Sequence, residues 1–476
     1  MSAVRNVRWV GMIQVTRIGV QLLGLLVLSR LLTPSDFGLV AIVFAINNFA
    51  LLLRDMGTAA AIIQRDALDA ETVQTAHWSN CFIGLGLAAI LLVLSYPLAL
   101  IFKEPALASL VHLSALSFPF LSGSTVHQAL LERNNQFSTV ARIEIVALLA
   151  GFTVAVVTAY RGAGAYSPVL QTLTVAVLST FQFWIASDTK IKWGWSREHA
   201  KGLWSYSGSL FGFNLVNYFS RNADTMIIGR MLGPASLGPY SVAYRVMLFP
   251  LQNLTFVATR ALFPMMSRQQ NSPQELGAMH LRLLSVISFF TAPMMAGLFV
   301  LREPFVDVAL GDSWGLVAAI IMWLAPIGFI QSLVSAGGVV YQALGRTDLL
   351  FRLGVFSGIL HVTGFIAGVH WGVLGVAAGY FIVTLINATV SLGVLLHLMQ
   401  QPVGRLLNAI VPAIAKAFLM AVVLHFANIE LAALHYPSIV RLLALSAGGG
   451  LIFLALTQIH RMPADRDVLR LFMKKA

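Results

Sequence analysis

The sequence predicts an all-α membrane protein of about fourteen transmembrane helices, arranged as two repeated lobes. Three observations carry that reading. The chain is 58% hydrophobic and only 11% charged, where a soluble domain carries about 25% charged residues. Its apolar segments repeatedly reach the roughly 20 residues needed to cross a bilayer. A motif from the first part of the chain also returns in register in the second. Arg30-Leu31-Leu32-Thr33-Pro34-Ser35-Asp36-Phe37-Gly38 and Arg230-Met231-Leu232-Gly233-Pro234-Ala235-Ser236-Leu237-Gly238 share Arg, Leu, Pro and Gly.

The expected spans start near residues 10, 37, 81, 107, 143, 165, 204, 237, 281, 315, 350, 373, 407 and 438. Gly and Pro interrupt several, as membrane helices tolerate, and the segments from 315 to 400 are the hardest to delimit. The first apolar run, from about Trp9 to Leu32, is too long for a cleavable signal and lacks a small-residue cleavage site. Cys81 is the one cysteine, so neither an internal disulfide nor a cysteine metal site is expected. The net charge of +12 fits basic inner loops facing anionic lipid rather than a nucleic-acid partner.

Charge orients the chain. With both termini inside, inner segments collect most of the 31 Lys and Arg. They include Arg54, Arg65, Arg133, Arg142, Lys190, Lys192, Arg197, Lys201, Arg260, Arg268, Arg346, Arg352, Arg405 and the tail Arg461–Lys475. The outer ends hold Arg30, Lys103, Arg161, Arg221, Arg230 and Arg302. This bias predicts cytoplasmic termini. The inner segment Asp188–Lys201 is basic and Trp-rich, and is expected at headgroup level.

A polar face lies inside the repeat. Gln14, Arg17, Gln21 and Gly24 fall on one face of the first span. Asn214, Asn217, Arg221 and Asp224 repeat that spacing in the seventh. Neighbouring spans add Asn47, Asn48, Tyr244, Arg245, Gln252 and Asn253. A parallel repeat in an apolar chain points to a transporter architecture with its site between lobes. Charged groups at membrane depth cost several kcal/mol on lenient scales, so they face water or a partner. Arg17, Arg221 and Arg245 against Asp224 leave positive charge, which suits an anion. Arg grips phosphate through a two-pronged hydrogen bond. The competing reading is interhelical hydrogen bonding, or an Arg221–Asp224 pair. Arg30 and Arg230 are expected at the outer interface, as phosphate or gate residues.

Other residues read as structural. Lys416 suits snorkelling or a packing contact. His77, His112, His127, His361 and His370 lack ligand spacing. Trp193, Trp195, Trp204, Trp314 and Trp371 fit interfacial belts. Gly448-Gly449-Gly450 lacks the following Lys-Ser/Thr of a phosphate loop.

The run Leu28–Gly38, followed by Arg54-Asp55-Met56-Gly57 and Ile62-Ile63-Gln64-Arg65, resembles the start of bacterial Wzx-type polysaccharide flippases of the multidrug/oligosaccharidyl-lipid/polysaccharide superfamily. Asn222–Arg230 and Tyr240–Arg245 do the same, and the likeness runs from about residue 10 to 400. The resemblance is nearest to colanic acid exporters. It implies two six-helix bundles, over 1–200 and 201–400, with two C-terminal accessory helices and a basic tail over 401–476. It further implies flipping of undecaprenyl-diphosphate-linked oligosaccharide across the inner membrane by alternating access. Arg17, Gln21, Asn47, Asn214, Asn217, Arg221, Arg245 and Asn253 would then bind substrate, and Asp224 would couple transport to H⁺ or Na⁺. Membrane lipids and the pathway's polymerase and chain-length proteins are the implied partners; no cofactor or metal is expected.

Two alternatives stay within the superfamily: flipping of the peptidoglycan lipid precursor, and cation-coupled drug export. Cationic drugs would want several acids where the stripes offer Asp224. A membrane polymerase or ligase would need a large outer loop carrying catalytic residues, and the expected outer loops are short. The chain is therefore expected not to be an enzyme.

Overall fold

The computed structural model describes residues 2–54, 58–64, 68–187, 189, 191–199, 218, 222–251, 266–269 and 272–459. Among these, every extended element is helical. The chain forms two compact units, Met1–Gly238 and Pro239–Ala476.

Eleven helical stretches among the described residues are long and apolar enough to cross a membrane. One of them, Thr347–Leu398, holds two helices either side of a short turn at Val369–Trp371. The span expected from 204 begins outside the described residues, and the one expected from 237 corresponds to a 17-residue helix, Pro234–Pro250.

In the first unit the helices are α1 (Ser2–Leu31), α2 (Pro34–Arg54), α3 (Thr58–Gln64), α4 (Ala70–Phe102), α5 (Ala106–Ala115), α6 (Ser117–Arg133), α7 (Phe137–Tyr160) and α8 (Tyr166–Ala186). α1 packs on α7, α7 on α8, and α6 on α4 and α8. α4 starts at Ala70, well before the 81 expected from hydropathy. Its first turns are polar, with Glu71, Gln74, His77, Ser79 and Asn80, so the helix continues beyond its apolar stretch. Asp69 sets the start by accepting from the Thr72 amide and hydroxyl.

In the second unit the principal helices are α9 (Pro234–Pro250, shared with the first unit), α10 (Pro273–Val300), α11 (Arg302–Ala309), α12 (Gly315–Ser335), α13 (Gly338–Ala343), α14 (Thr347–Gly368), α15 (Gly372–Leu398), α16 (Val403–Ala433) and α17 (Ser438–Ile459). α10 packs on α12 and α16, α14 on α15, and α16 on α17. α14 and α15 meet backbone to backbone: a Cβ at Gly368 would lie 2.4 Å from the Gly375 carbonyl oxygen, and one at Gly375 would lie 2.3 Å from that of Gly368. Small residues allow such approach where apolar side chains gain little by leaving lipid.

The outer surfaces of both units are apolar. Leu100, Ile185 and Ile459 are 79%, 84% and 82% exposed, a pattern that fits lipid contact and would aggregate in water.

The cap of α4 makes a pH prediction. The Thr72 hydroxyl hydrogen bond holds the Asp69 carboxyl below its ordinary value of 3.8. A depressed carboxyl stabilises the fold above its unfolded value, and that contribution is lost as pH falls through the folded value. Hydrogen exchange at the first amides of α4, corrected for intrinsic rate, is expected to quicken below the ordinary carboxylate range. In Asp69→Asn, which caps without titrating, that pH dependence should vanish; retained dependence would place it elsewhere.

Candidate functional site

Both copies of the repeated motif break a helix at the same register. α1 stops at Leu31 and α2 starts at Pro34. Helical residues 222–231 stop before Leu232 and α9 starts at Pro234. Equivalent backbone bonds close each break: Leu32 to the Leu28 carbonyl and Phe37 to that of Thr33, then Leu232 to Ile228 and Leu237 to Gly233. The turn chemistry differs. Thr33 donates its amide and hydroxyl to Asp36 Oδ2, at 2.9 and 2.7 Å. Asp36 Oδ1 also accepts from the Ala165 amide at 3.0 Å, tying this turn to the α7–α8 connection. In the second copy Gly233 takes φ +78°, a left-handed conformation that glycine adopts at little cost.

Within the first unit the two turns touch reciprocally. A Cβ on Gly38 would lie 2.0 Å from the Pro234 carbonyl oxygen, and one on Gly238 would lie 1.8 Å from that of Pro34. Around this contact Gly229 packs on Ile42 and Leu237, and the Tyr218 hydroxyl donates to the Ala45 carbonyl. The repeated Pro and Gly are thus contact residues as well as helix punctuation.

Arg30 and Arg230 are exposed at the C-terminal ends of the helices that precede the turns. There a cation meets the negative end of the helix dipole. Asp224 is buried at 3% exposure and accepts from the Thr225 amide at 2.6 Å. Asn214, Asn217, Arg221, Gln252 and Asn253 lie outside the described residues.

On α1, Gln14, Arg17 and Gln21 are exposed to solvent or lipid. Arg17 pairs with Glu144 of α7 at 3.2 Å. Gln128 of α6 donates to Glu132 at 2.9 Å and to the other oxygen of Glu144 at 3.4 Å. Arg17, Glu144, Gln128 and Glu132 therefore form one network across three helices. Asn47 is buried and accepts from the Ser114 hydroxyl at 3.0 Å. Glu144 was missed by sequence reasoning, which counted Asp224 as the one acid facing the basic groups. A lone acid inside an apolar helix was the available signal.

In the second unit Arg245 is exposed on α9, next to Tyr244. Tyr244 stacks between Tyr240 and Tyr380, with centroids 6.1 and 6.3 Å away. Gln331 donates to the Tyr380 hydroxyl, and His361 meets the Tyr380 ring edge-on at 5.3 Å. His361 Nδ1 donates to the Ser357 carbonyl at 2.7 Å. Gln331 and Tyr380 were not singled out in the sequence, because each stands alone in an apolar span. Lys416 is 6% exposed on α16, between Ala413 and Ala417 of the core that includes Phe289, Met420 and Phe453. That placement fits the packing alternative.

These units define a multi-span helical membrane protein with polar networks on its long apolar helices. Its fold matches that of a lipid II flippase, MurJ, in an inward closed conformation. The TM-score is 0.76 at 17% identity, covering 98% of this chain and 100% of that one. Residues 27–319 match the polysaccharide biosynthesis protein family, and the chain belongs to that family. It is 28% identical over 393 residues to the lipopolysaccharide biosynthesis protein WzxC of Escherichia coli K12, covering 82% of this chain and 80% of that one. It is 25% identical over 480 residues to the succinoglycan biosynthesis transport protein ExoT of Rhizobium meliloti 1021, covering 100% of this chain and 96% of that one. Of these, ExoT is named as a transport protein and MurJ as a flippase.

The reciprocal contact makes a direct prediction. Gly38→Ala or Gly238→Ala drives a methyl into opposing backbone, which cannot rotate away. Overpacking of this kind costs about 1–3 kcal/mol. Each variant should melt at lower temperature in detergent than Gly404→Ala, where a Cβ meets nothing within 4 Å. Equal melting of the three would show that the turns do not touch.

Proposed function

We propose that this protein flips polyprenyl-diphosphate-linked oligosaccharide repeat units across the bacterial inner membrane, by alternating access, for surface polysaccharide synthesis. The observation that carries this reading is membership of the polysaccharide biosynthesis family, in a chain whose helices follow the fold of a lipid flippase. In this proposal the chain has about fourteen spans and both termini in the cytoplasm. Residues 1–200 and 201–400 form two six-helix lobes, and 401–476 supply two accessory helices and a basic tail. The equivalent helix breaks at Pro34 and Pro234 support the repeat.

The chemistry follows from the polar faces. A diphosphate carries negative charge and many acceptor oxygens. Arg17, Arg221 and Arg245 supply charged donors in a cationic cavity. Gln21, Asn47, Asn214, Asn217 and Asn253 hydrogen-bond sugar or headgroup, and Asp224 couples the cycle to a cation. Arg30 and Arg230 bind phosphate at the outer rim. Pairing with Glu144 gives Arg17 a resting partner. Substrate phosphate would have to displace that carboxylate, so Arg17 is charged yet neutralised between cycles. The polymerase and chain-length proteins of the pathway are the proposed partners.

Deletion of the gene is expected to accumulate the lipid-linked repeat unit on the inner leaflet, measured by mass spectrometry of extracted lipids. Complementation with Arg17→Ala should leave that accumulation in place while the protein inserts normally. Arg17→Lys should restore only part, because Lys keeps charge but loses the fork. A charge-assisted hydrogen bond is worth roughly 1.5–3 kcal/mol, so losing one lowers affinity about tenfold or more. Full complementation by Arg17→Ala would remove this residue from the site. Absence of any lipid-linked intermediate in the deletion strain would overturn the function.

A further inference from the structure

The segment between the two copies of the repeat runs, over residues 191–199, along the first turns of α4. Trp193 meets Trp78 with centroids 4.4 Å apart. Trp78 Nε1 donates to the Lys192 carbonyl, and Trp195 Nε1 donates to Ser79 Oγ, both at 3.1 Å. The Ser196 amide donates to Thr75 Oγ1, also at 3.1 Å. This docking delivers His199 to the start of α4, beside Asp69 and Glu71.

One ligand atom from each of Asp69, Glu71 and His199 can be chosen so that all lie within 4.8 Å of one another. His199 Nδ1 stands 3.0 Å from Ser196 Oγ, which turns Nε2 toward Asp69 Oδ2 at 3.4 Å. Glu71 Oε1 lies 4.0 Å from Nδ1, on the Ser196 side of the ring. A closed cation–carboxylate hydrogen bond would be about 2.7–2.9 Å. Two ligands on one zinc ion, each about 2.0–2.2 Å from the metal at a tetrahedral angle, stand about 3.4 Å apart. The Asp69–His199 spacing matches that of two ligands sharing a cation, at a distance that is also within ion-pair range.

The surroundings fit the same reading. Ligating groups are commonly oriented by a second set of hydrogen bonds. Here Ser196 orients the imidazole, and the Thr72 hydroxyl lies 2.5 Å from Asp69 Oδ1. Two carboxylates balance a divalent charge. An imidazole nitrogen favours a first-row transition ion over magnesium or calcium. Three protein ligands leave a fourth position for water.

We propose that Asp69, Glu71 and His199 form a divalent transition-metal site that staples the segment between the repeats to the first turn of α4. The ligands come from two parts of the chain, so occupancy fixes one against the other. The side chains of Asp69 and Glu71 are 56% and 61% exposed, so the ion exchanges with solvent and the site senses its concentration.

The test is titration of zinc chloride into the purified, full-length protein, made without a polyhistidine tag, by calorimetry and tryptophan fluorescence. One zinc per chain is expected, with a change in fluorescence from Trp193 and Trp195. Excess magnesium should not displace it. His199→Ala, Glu71→Gln and Asp69→Asn should each weaken binding at least about tenfold. Asp69→Asn separates a metal role from a structural one, because Asn retains the helix cap. Zinc should also slow hydrogen exchange over residues 191–199 in the native protein and not in Asp69→Asn. Absence of binding, unchanged affinity in these variants, or equal displacement by magnesium would each overturn the site.

Discussion

The reciprocal approach of Gly38 to Pro234 and of Gly238 to Pro34 is the constraint around which the first unit is organised. Two helix breaks meet with no side chain between them, so carbonyl oxygens of one turn lie against the Cα atoms of the other. Weak Cα–H···O contacts of this kind recur at close helix interfaces. The contact demands Gly four residues after each Pro, because a side chain there would meet the opposing backbone carbonyl. The chemistry that closes each turn differs. Asp36 caps the first turn and ties it to the α7–α8 connection, whereas Gly233 closes the second through a left-handed backbone.

The rest of the polar chemistry follows from putting charge into apolar helices. Arg17 and Glu144 pair across α1 and α7, and Gln128 extends the pair to Glu132. In the second unit Tyr240, Tyr244 and Tyr380 stack with Gln331 and His361 around them. A network of satisfied donors and acceptors is tolerated at bilayer depth where a single group is not. In the proposed function, these networks would offer a phosphorylated saccharide a charged fork, amide donors and flat apolar faces.

Much of the helical plan was legible in the sequence, for physical reasons. Bilayer thickness sets a minimum length for each span, so hydropathy locates helices well. It places their ends poorly where polar turns continue the helix past the apolar stretch, as at Ala70 and at Pro273. The Pro-Gly repeat was legible because its Gly positions leave no room for a side chain and its Pro positions start the following helices. The partner of Arg17 was not, because Glu144 belongs to a helix with no counterpart in the noted stripe. Tyr380 and Gln331 were hidden for the same reason. The Asp69–Glu71–His199 cluster joins residues far apart in the chain through a docked segment, and no local spacing encodes it.

The central claim is movement of a lipid-linked saccharide, and reconstitution tests it most directly. The purified protein would be placed in proteoliposomes loaded with fluorescent polyprenyl-diphosphate oligosaccharide, and exposure of the sugar to an external quencher followed with time. The account requires protein-dependent equilibration between leaflets for the oligosaccharide-bearing lipid, well above the protein-free rate. Equilibration no faster than in empty vesicles, with the protein folded and correctly inserted, would contradict it.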